Sequence, residues 1–190
     1  MRALTFEYMG IAQSELQAAK AVGSRAGVIE HRKVRLPDLK EVADIPGFSP
    51  EELPPTYIPL RNSIFYAFAA SYAEETSAAS VVGGHNKDDM EVFADVSPEF
   101  FSTLQKAFWN GSRILRKNRL KIVRPLKRLG KPEVIRLAAS LGVPFELTWS
   151  CHRDSEKHCW RCDGCLSRLR SFKEAGIADP LAGTKREKIT

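Results

Sequence analysis

No cysteine occurs in the first 150 residues of this 190-residue chain; all four fall between Cys151 and Cys165. A disulfide framework would spread its cysteines along the sequence, and a reducing compartment would not keep it oxidised. Crowding of this kind points to a metal. Long apolar runs are also missing. The longest, Ile64 to Ala70, falls far short of the ~20 residues that span a bilayer, and mean hydropathy is −0.27. That excludes a membrane-spanning helix. The opening MRALTFEY meets an acid at Glu7 before a signal-peptide apolar region can form, so a cytoplasmic protein is expected. Acids are outnumbered, 23 against 29 lysines and arginines, and the net charge of +6 favours anionic partners. With 43% apolar and 27% charged residues, the composition is that of a globular protein with its own core.

Strand-like and helix-like stretches alternate. Ala3–Phe6 reads as a strand, Ser14–Ala26 as a helix with Leu16, Ala19, Val22 and Ala26 on one face, and Val28–Leu36 as a strand. Pro37 to Pro55 holds five of the 11 prolines and reads as a long irregular connection. Asn62–Thr76 follows as a helix capped by Asn62 or Ser63, with Ile64, Phe65, Phe68 and Tyr72 at helical spacing. Ser80–Gly83 reads as a short buried strand and Pro98–Leu115 as a helix. Leu120–Arg124 is a strand, and Glu133–Leu141 a helix opened by Pro132 with Gly130 as its cap. Asp163–Ala175 is a last helix, stopped by Gly176. This alternation predicts an α/β fold with a parallel sheet. Ligands then bind outside the carboxyl ends of the strands, after Phe6 and from Gly83 to Asp95.

The cysteines form the pattern Cys151-x7-Cys159-x2-Cys162-x2-Cys165. Four thiolates complete a closed tetrahedral zinc site, structural rather than catalytic; an iron–sulfur cluster is the alternative. His152 and His158 read as solvent-exposed bystanders. Trp109, Trp149 and Trp160 read as core or zinc-loop packing.

The run LGVPFELTWSC, the cysteine loop and CDGCLSRLRSFKEAG together resemble the C-terminal part of the 7-cyano-7-deazaguanine synthase (QueC) family, of the PP-loop or N-type ATP pyrophosphatase superfamily. TYIPLRNSIFYAFAASYAE is similar to the family's Tyr-x-Pro-x-Arg-Asn and the apolar helix after it. Gly84, Asn86, Asp89, Asp95, Pro98, Glu99 and Phe100 stand where the family has a strand-end motif and a helix start, and ALTFEY with Glu15-Leu16 resembles its second strand and next helix. The resemblance runs from Ala3 to about Gly176. It implies an adenine-nucleotide alpha-hydrolase-like (Rossmann-like) α/β domain over residues 1–145, a zinc-binding loop–helix lobe over 146–180 and a polar, frayed tail over 181–190.

The implied activity is ATP-dependent formation of 7-cyano-7-deazaguanine from 7-carboxy-7-deazaguanine and ammonia, with Mg2+, for queuosine or archaeosine biosynthesis, in a homodimer. Lys131 and Asp89 take the catalytic parts. Arg61 and Asn62 contact nucleotide phosphate or adenosine at a helix start. Asp88, Asp89 and Asp95 hold Mg2+ or the base, with Gly84 and Asn86 beside them. Three departures stand out. The family's phosphate loop, Ser-Gly-Gly-x-Asp-Ser, occurs nowhere in the 190 residues; its Gly-Gln-x-His is Met9-Gly10-Ile11-Ala12 here; its Ser-Gly-Tyr-Pro is Glu91-Val92-Phe93-Ala94. The first implies a reading frame that starts too late, or a degenerate or partner-completed protein. The others imply divergence around the substrate.

Between Arg113 and Arg136, Glu133 is the only acid among many cations. Strand and helix positions are expected to spread that charge over several faces as solvated surface, so direct nucleic-acid binding is not expected. The rival readings are a zinc-stabilised, non-catalytic tRNA-binding module, suggested by the charge and the cysteines, and a paralogue ligase for another carboxylate, suggested by residues 91–94.

Overall fold

The structure is a computed structural model and describes residues 1–47 and 57–182. Much of the proline-rich connection, with Pro50, Pro54 and Pro55, lies outside the described residues, as does most of the polar tail.

Strand β1 (Arg2–Tyr8), helix α1 (Gln13–Arg25) and strand β2 (Glu30–Leu36) form a parallel β–α–β unit, in register from Arg2 opposite Glu30 to Tyr8 opposite Leu36. The sheet's outward side is lined with charge. Glu7 pairs with Lys33 and Arg35, and Arg2 and Arg32 pair with Glu30. Charges of this kind along β2 discourage edge-to-edge pairing with other chains.

Helix α2 (Arg61–Glu75) leads into strand β3 (Ser80–Val82). Helix α3 (Pro98–Gly111) and helix α4 (Arg113–Asn118) then lead to strand β4 (Lys121–Val123), which pairs in parallel with β3. The single helix expected over Pro98–Leu115 is two. Ser112, extended at φ −132°, accepts from the Leu115 N–H and caps α4, so the break sits at Gly111–Ser112. Helix α5 (Lys131–Ser140) and helix α6 (Asp163–Ala175) complete the chain's regular elements. Gly176, at φ 73°, ends α6 in the left-handed conformation that glycine adopts freely.

The expected α/β fold with parallel strands is present, but as two separate strand pairs, β1–β2 and β3–β4. A cleft of about 970 Å³ lies between β1 and β3. Helix α2 bridges the two pairs. Phe65 stacks on Phe6 of β1 at 4.0 Å, while Tyr66 packs edge-on to Phe101 at 4.8 Å on the other side. A helix packed on two sides shows no single apolar stripe, which is why its buried residues, Asn62, Tyr66, Ala70, Tyr72 and Ala73, differ from the spacing read in the sequence. The core itself lies on the β3–β4 side. Ala70, Ala73, Leu115 and Leu120 form one cluster, and Tyr66, Val96 and Phe101 another. β3 is not buried as expected, because it borders the cleft: Val82 is 61% exposed. Among the described residues no helix is long and apolar enough to cross a membrane.

Candidate functional site

The four cysteines converge. Their Sγ atoms lie within 4.8 Å of one another, and the Cys159–Cys165 and Cys151–Cys162 pairs are each at 3.9 Å, with no disulfide among them. In a tetrahedral site with Zn–S bonds of about 2.3 Å the sulfurs stand about 3.8 Å apart, so the set fits such an ion closely. Backbone N–H groups aim at the sulfurs, Arg153 at Cys151 and Cys162 at Cys159, both at 3.4 Å. Hydrogen bonds from Arg161 and Cys162 hold the Cys159 pKa down at about 6, whereas burial pushes Cys165 up to about 12. A metal ion would hold both as thiolates.

The fold around the cysteines is closely packed and hydrogen-bonded. Gly164 allows α6 to approach the Ser150 carbonyl so closely that a Cβ there would collide with it. Arg168 of α6 is buried. It grips Asp179 with two hydrogen bonds (2.6 and 2.8 Å) and reaches Thr148 Oγ1 at 2.7 Å and the Phe145 carbonyl at 3.2 Å. His152 is exposed as expected, but His158 is not. It is 6% exposed, packed between Trp149 and Trp160, and its Nε2 accepts from the Ser150 N–H. Burial lowers its pKa, with the Arg168 charge adding to the effect. A neutral His158 with its Nε2 occupied buttresses the loop and leaves the ion to the cysteines.

At the carboxyl ends of both strands the cleft between β1 and β3 is lined by Tyr8, Arg61 and His85. Tyr8, the last residue of β1, and His85, just past β3, both lie within electrostatic reach of Arg61. Arg61 begins α2, directly after Leu60 in the left-handed conformation. The expected cap of α2 is not Asn62 or Ser63. Asp95 Oδ2 accepts from the Asn62 N–H at 3.2 Å, while the Asn62 side chain is buried. Arg61, Asn62 and Asp95 are thus brought together.

A second group gathers in the turn after β3. Asn86 N–H donates to Asp89 Oδ2 at 3.0 Å, Asn86 Oδ1 accepts from Asp88 N–H at 2.8 Å, and Asp88 Oδ2 accepts from the Lys131 N–H at 3.0 Å. Asp88 therefore fixes this turn to the start of α5, where Gly130 is the cap expected from the sequence and donates its N–H to Glu133. Gly84 lies in the same turn, in open space. The three aspartates each accept from, or brace, backbone N–H groups. Among the described residues only the cysteines bring three or more metal-ligating side chains together.

Three cleft residues are not singled out in the sequence, although two of them, Gly83 and His85, fall within the expected ligand segment Gly83 to Asp95. Gly83 packs against the Tyr66 hydroxyl so tightly that any Cβ would clash. Tyr66 Oη is buried with no hydrogen-bond partner among the described residues, and burial pushes its pKa up to about 12. His85 sits against Tyr66 and Phe101, and burial lowers its pKa against the opposing pull of Asp89 and Asp95. A lone histidine or tyrosine in an apolar run carries no spacing signal, so only the fold exposes them.

The family model described as queuosine biosynthesis protein QueC matches residues 1–176. This chain belongs to the QueC family. Among curated relatives, a 7-cyano-7-deazaguanine synthase of Thermoplasma acidophilum is 36% identical over 95% of this chain and 80% of its own length. Relatives of the same name from Thermosynechococcus vestitus and Trichodesmium erythraeum are each 38% identical over 94% of this chain, and over 83% and 87% of their own lengths. QueC membership favours neither rival reading, the non-catalytic module or the paralogue ligase.

Proposed function

We propose that this chain is a 7-cyano-7-deazaguanine synthase, an ATP-dependent carbon–nitrogen ligase acting on 7-carboxy-7-deazaguanine and ammonia. The observation that carries the reading is the family match over residues 1–176, joined by relatives of that name that align over nearly the whole chain. In the proposed reaction ATP activates the substrate carboxylate as an acyl phosphate or adenylate. Ammonia attacks its carbonyl carbon, the activated oxygen leaves, and an amide forms. A second ATP activates the amide oxygen, which then leaves as phosphate or AMP while the nitrogen gives up two protons, and the nitrile forms. Negative charge builds on the phosphoryl oxygens at each step, so cations and N–H donors fixed in place beforehand lower the barrier.

The cleft mouth suits those demands. Arg61 at the start of α2 offers a guanidinium for a phosphate, Asn62 lies beside it, and Asp95 keeps that helix start in place. Lys131, with Asp88 on its own N–H, is positioned to neutralise a leaving phosphate, and Asp89 to receive Mg2+ or the exocyclic amine of the base. Gly84, with open space about its Cα, and Asn86 would sit beside the base. The cysteines hold one structural zinc. ATP with Mg2+ is the co-substrate, the fold is of the adenine-nucleotide alpha-hydrolase-like, Rossmann-like kind, and the enzyme works in the cytoplasm as a homodimer. The phosphate loop that the 190 residues do not contain belongs, on this reading, in the cleft, on a strand between β1 and β3, whose facing edges pair with no strand among the described residues.

The test is direct. Protein, carboxylate, ATP and ammonia are combined and the nitrile is sought by mass spectrometry, with residues 1–190 alone and with a family phosphate-loop strand fused ahead of Met1. Nitrile formed by the fused protein supports the reading. ATP consumption without nitrile overturns the substrate, and micromolar ATP binding by residues 1–190 alone overturns the placement of the phosphates.

A further inference from the structure

Charge is distributed unevenly along this chain. From Phe100 to Pro132 there are ten lysines and arginines and no acid, which leaves 19 cations against 23 acids elsewhere. None of the ion pairs among the described residues uses any of these ten. The sequence reading spreads them over several faces. The structure instead lines one groove of about 620 Å³, on the outer side of β4, with Arg119, Lys121, Arg124 and Lys127, and sets Trp109 in its wall.

We propose that this groove binds single-stranded nucleic acid through its phosphodiester backbone. The site lies apart from the cleft and the reading does not depend on the synthase chemistry. Four cations around one concave surface with no acid among its lining residues give a strongly positive, focused field. A single strand can lay its phosphates along these side chains while its unstacked bases turn towards Trp109. Trp109 supplies an aromatic surface and Arg119 lies 5.4 Å over its ring, the pairing on which unstacked bases settle. Arg124 is held in place by the Phe101 ring at 4.3 Å and the Val96 carbonyl, so its charge is preset.

The alternative occupant of a basic strand edge is an acidic peptide that adds as a further strand. Two of that edge's backbone groups are already taken. The outward N–H of Ile122 donates to Gln105 Oε1 at 2.8 Å, and the Leu120 carbonyl accepts from Trp109 Nε1 at 2.9 Å. An added strand would lose those two ladder bonds, whereas the side-chain cations of the groove stay available.

The test uses the whole chain and a fluorescein-labelled 12-mer of oligouridylate, followed by anisotropy across a salt series. If four phosphates are neutralised, log affinity falls against log salt with slope about −2.8, or about 50-fold between about 50 and about 200 mM. The variant R119Q/K121Q/K127Q should flatten that slope to about −0.7 and keep its melting temperature. K121Q/K127Q, at two exposed side chains, should bring it to about −1.4 even if the triple variant melts lower. K20Q/R25Q/K40Q removes equal charge from elsewhere and should bind as the parent does. No binding at about 50 mM salt, equal weakening by the two triple variants, or equal competition by a 12-residue polyglutamate would each overturn the proposal.

Discussion

Asp179→Asn tests whether the loop–helix lobe is locked from inside. In the native protein the Arg168 and Asp179 side chains are 5% and 3% exposed, and the pair makes both arms of a bidentate contact. The variant keeps the shape but leaves the guanidinium buried with only Thr148 Oγ1 and the Phe145 carbonyl as full acceptors. Removing one partner of a buried pair costs about 3–5 kcal/mol, mostly because the other charge is stranded. At about 2–4 °C per kcal/mol for a chain of this size, the melting temperature should fall by about 10 °C. The pH dependence has a definite sign. Burial raises the Asp179 pKa, but the Arg168 hydrogen bonds and the Leu181 N–H outweigh it, and the net shift is downward. A depressed folded pKa gives stability that is fully present above the unfolded value of about 3.9 and is lost as pH falls through the folded value. The gap between parent and variant should therefore stay constant from about pH 8 to about pH 5 and close only below about pH 4. Arg168→Met with Asp179→Leu removes both charges and should cost far less than Asp179→Asn alone. Thermal melts across pH decide it. A fall under about 2 °C for Asp179→Asn, or a double variant as damaged as the single, would refute the argument.

Cys162→Ser should take the protein from one equivalent of zinc to essentially none by elemental analysis, and the parent should lose stability on chelation; full metal retention would sink the four-cysteine assignment. Gly83→Ala should destabilise by about 1–3 kcal/mol in chemical melts, and Tyr66→Phe should restore most of it, because the hydroxyl is what the new Cβ meets. Asp89→Asn, in the protein fused to a phosphate-loop strand, should cut nitrile turnover at least tenfold while zinc content stays the same; unchanged turnover would remove Asp89 from the chemistry.

Much of this was legible in the sequence, for reasons that differ from element to element. The cysteine cluster was readable because its ligands lie within 15 residues, so spacing alone constrains geometry. α6 was read to the residue because Cys162, of the cysteine cluster, and Gly176, a left-handed stop, bracket it. The break between α3 and α4 was missed because Gly111-Ser112 sits inside an apolar pattern that continues across it. The cap of α2 was missed because Asp95 lies 33 residues from Asn62, and no local rule reaches that far. His158 was misplaced for a similar reason: its burial depends on two tryptophans that the metal loop folds around it.

The cleft is where local and global readings part. Sequence patterning found both of its strands but took β3 as buried, since Ser80-Val81-Val82 is short and apolar. A parallel strand with helices on its faces normally has strands on both sides as well. Among the described residues β1 and β3 each have one. β2, the other neighbour of β1, carries Arg32, Lys33 and Arg35, the charged dress of an edge, whereas the cleft walls carry Leu4, Phe6, Val81 and Val82. The residues facing the gap are those of a sheet interior, and the Tyr66 hydroxyl between them is buried without an acceptor. Apolar side chains and an unpaired donor at the same place are unfavourable in water and favourable against a strand, which brings both a carbonyl and an apolar surface. Thus the same residues make the cleft costly as an empty space.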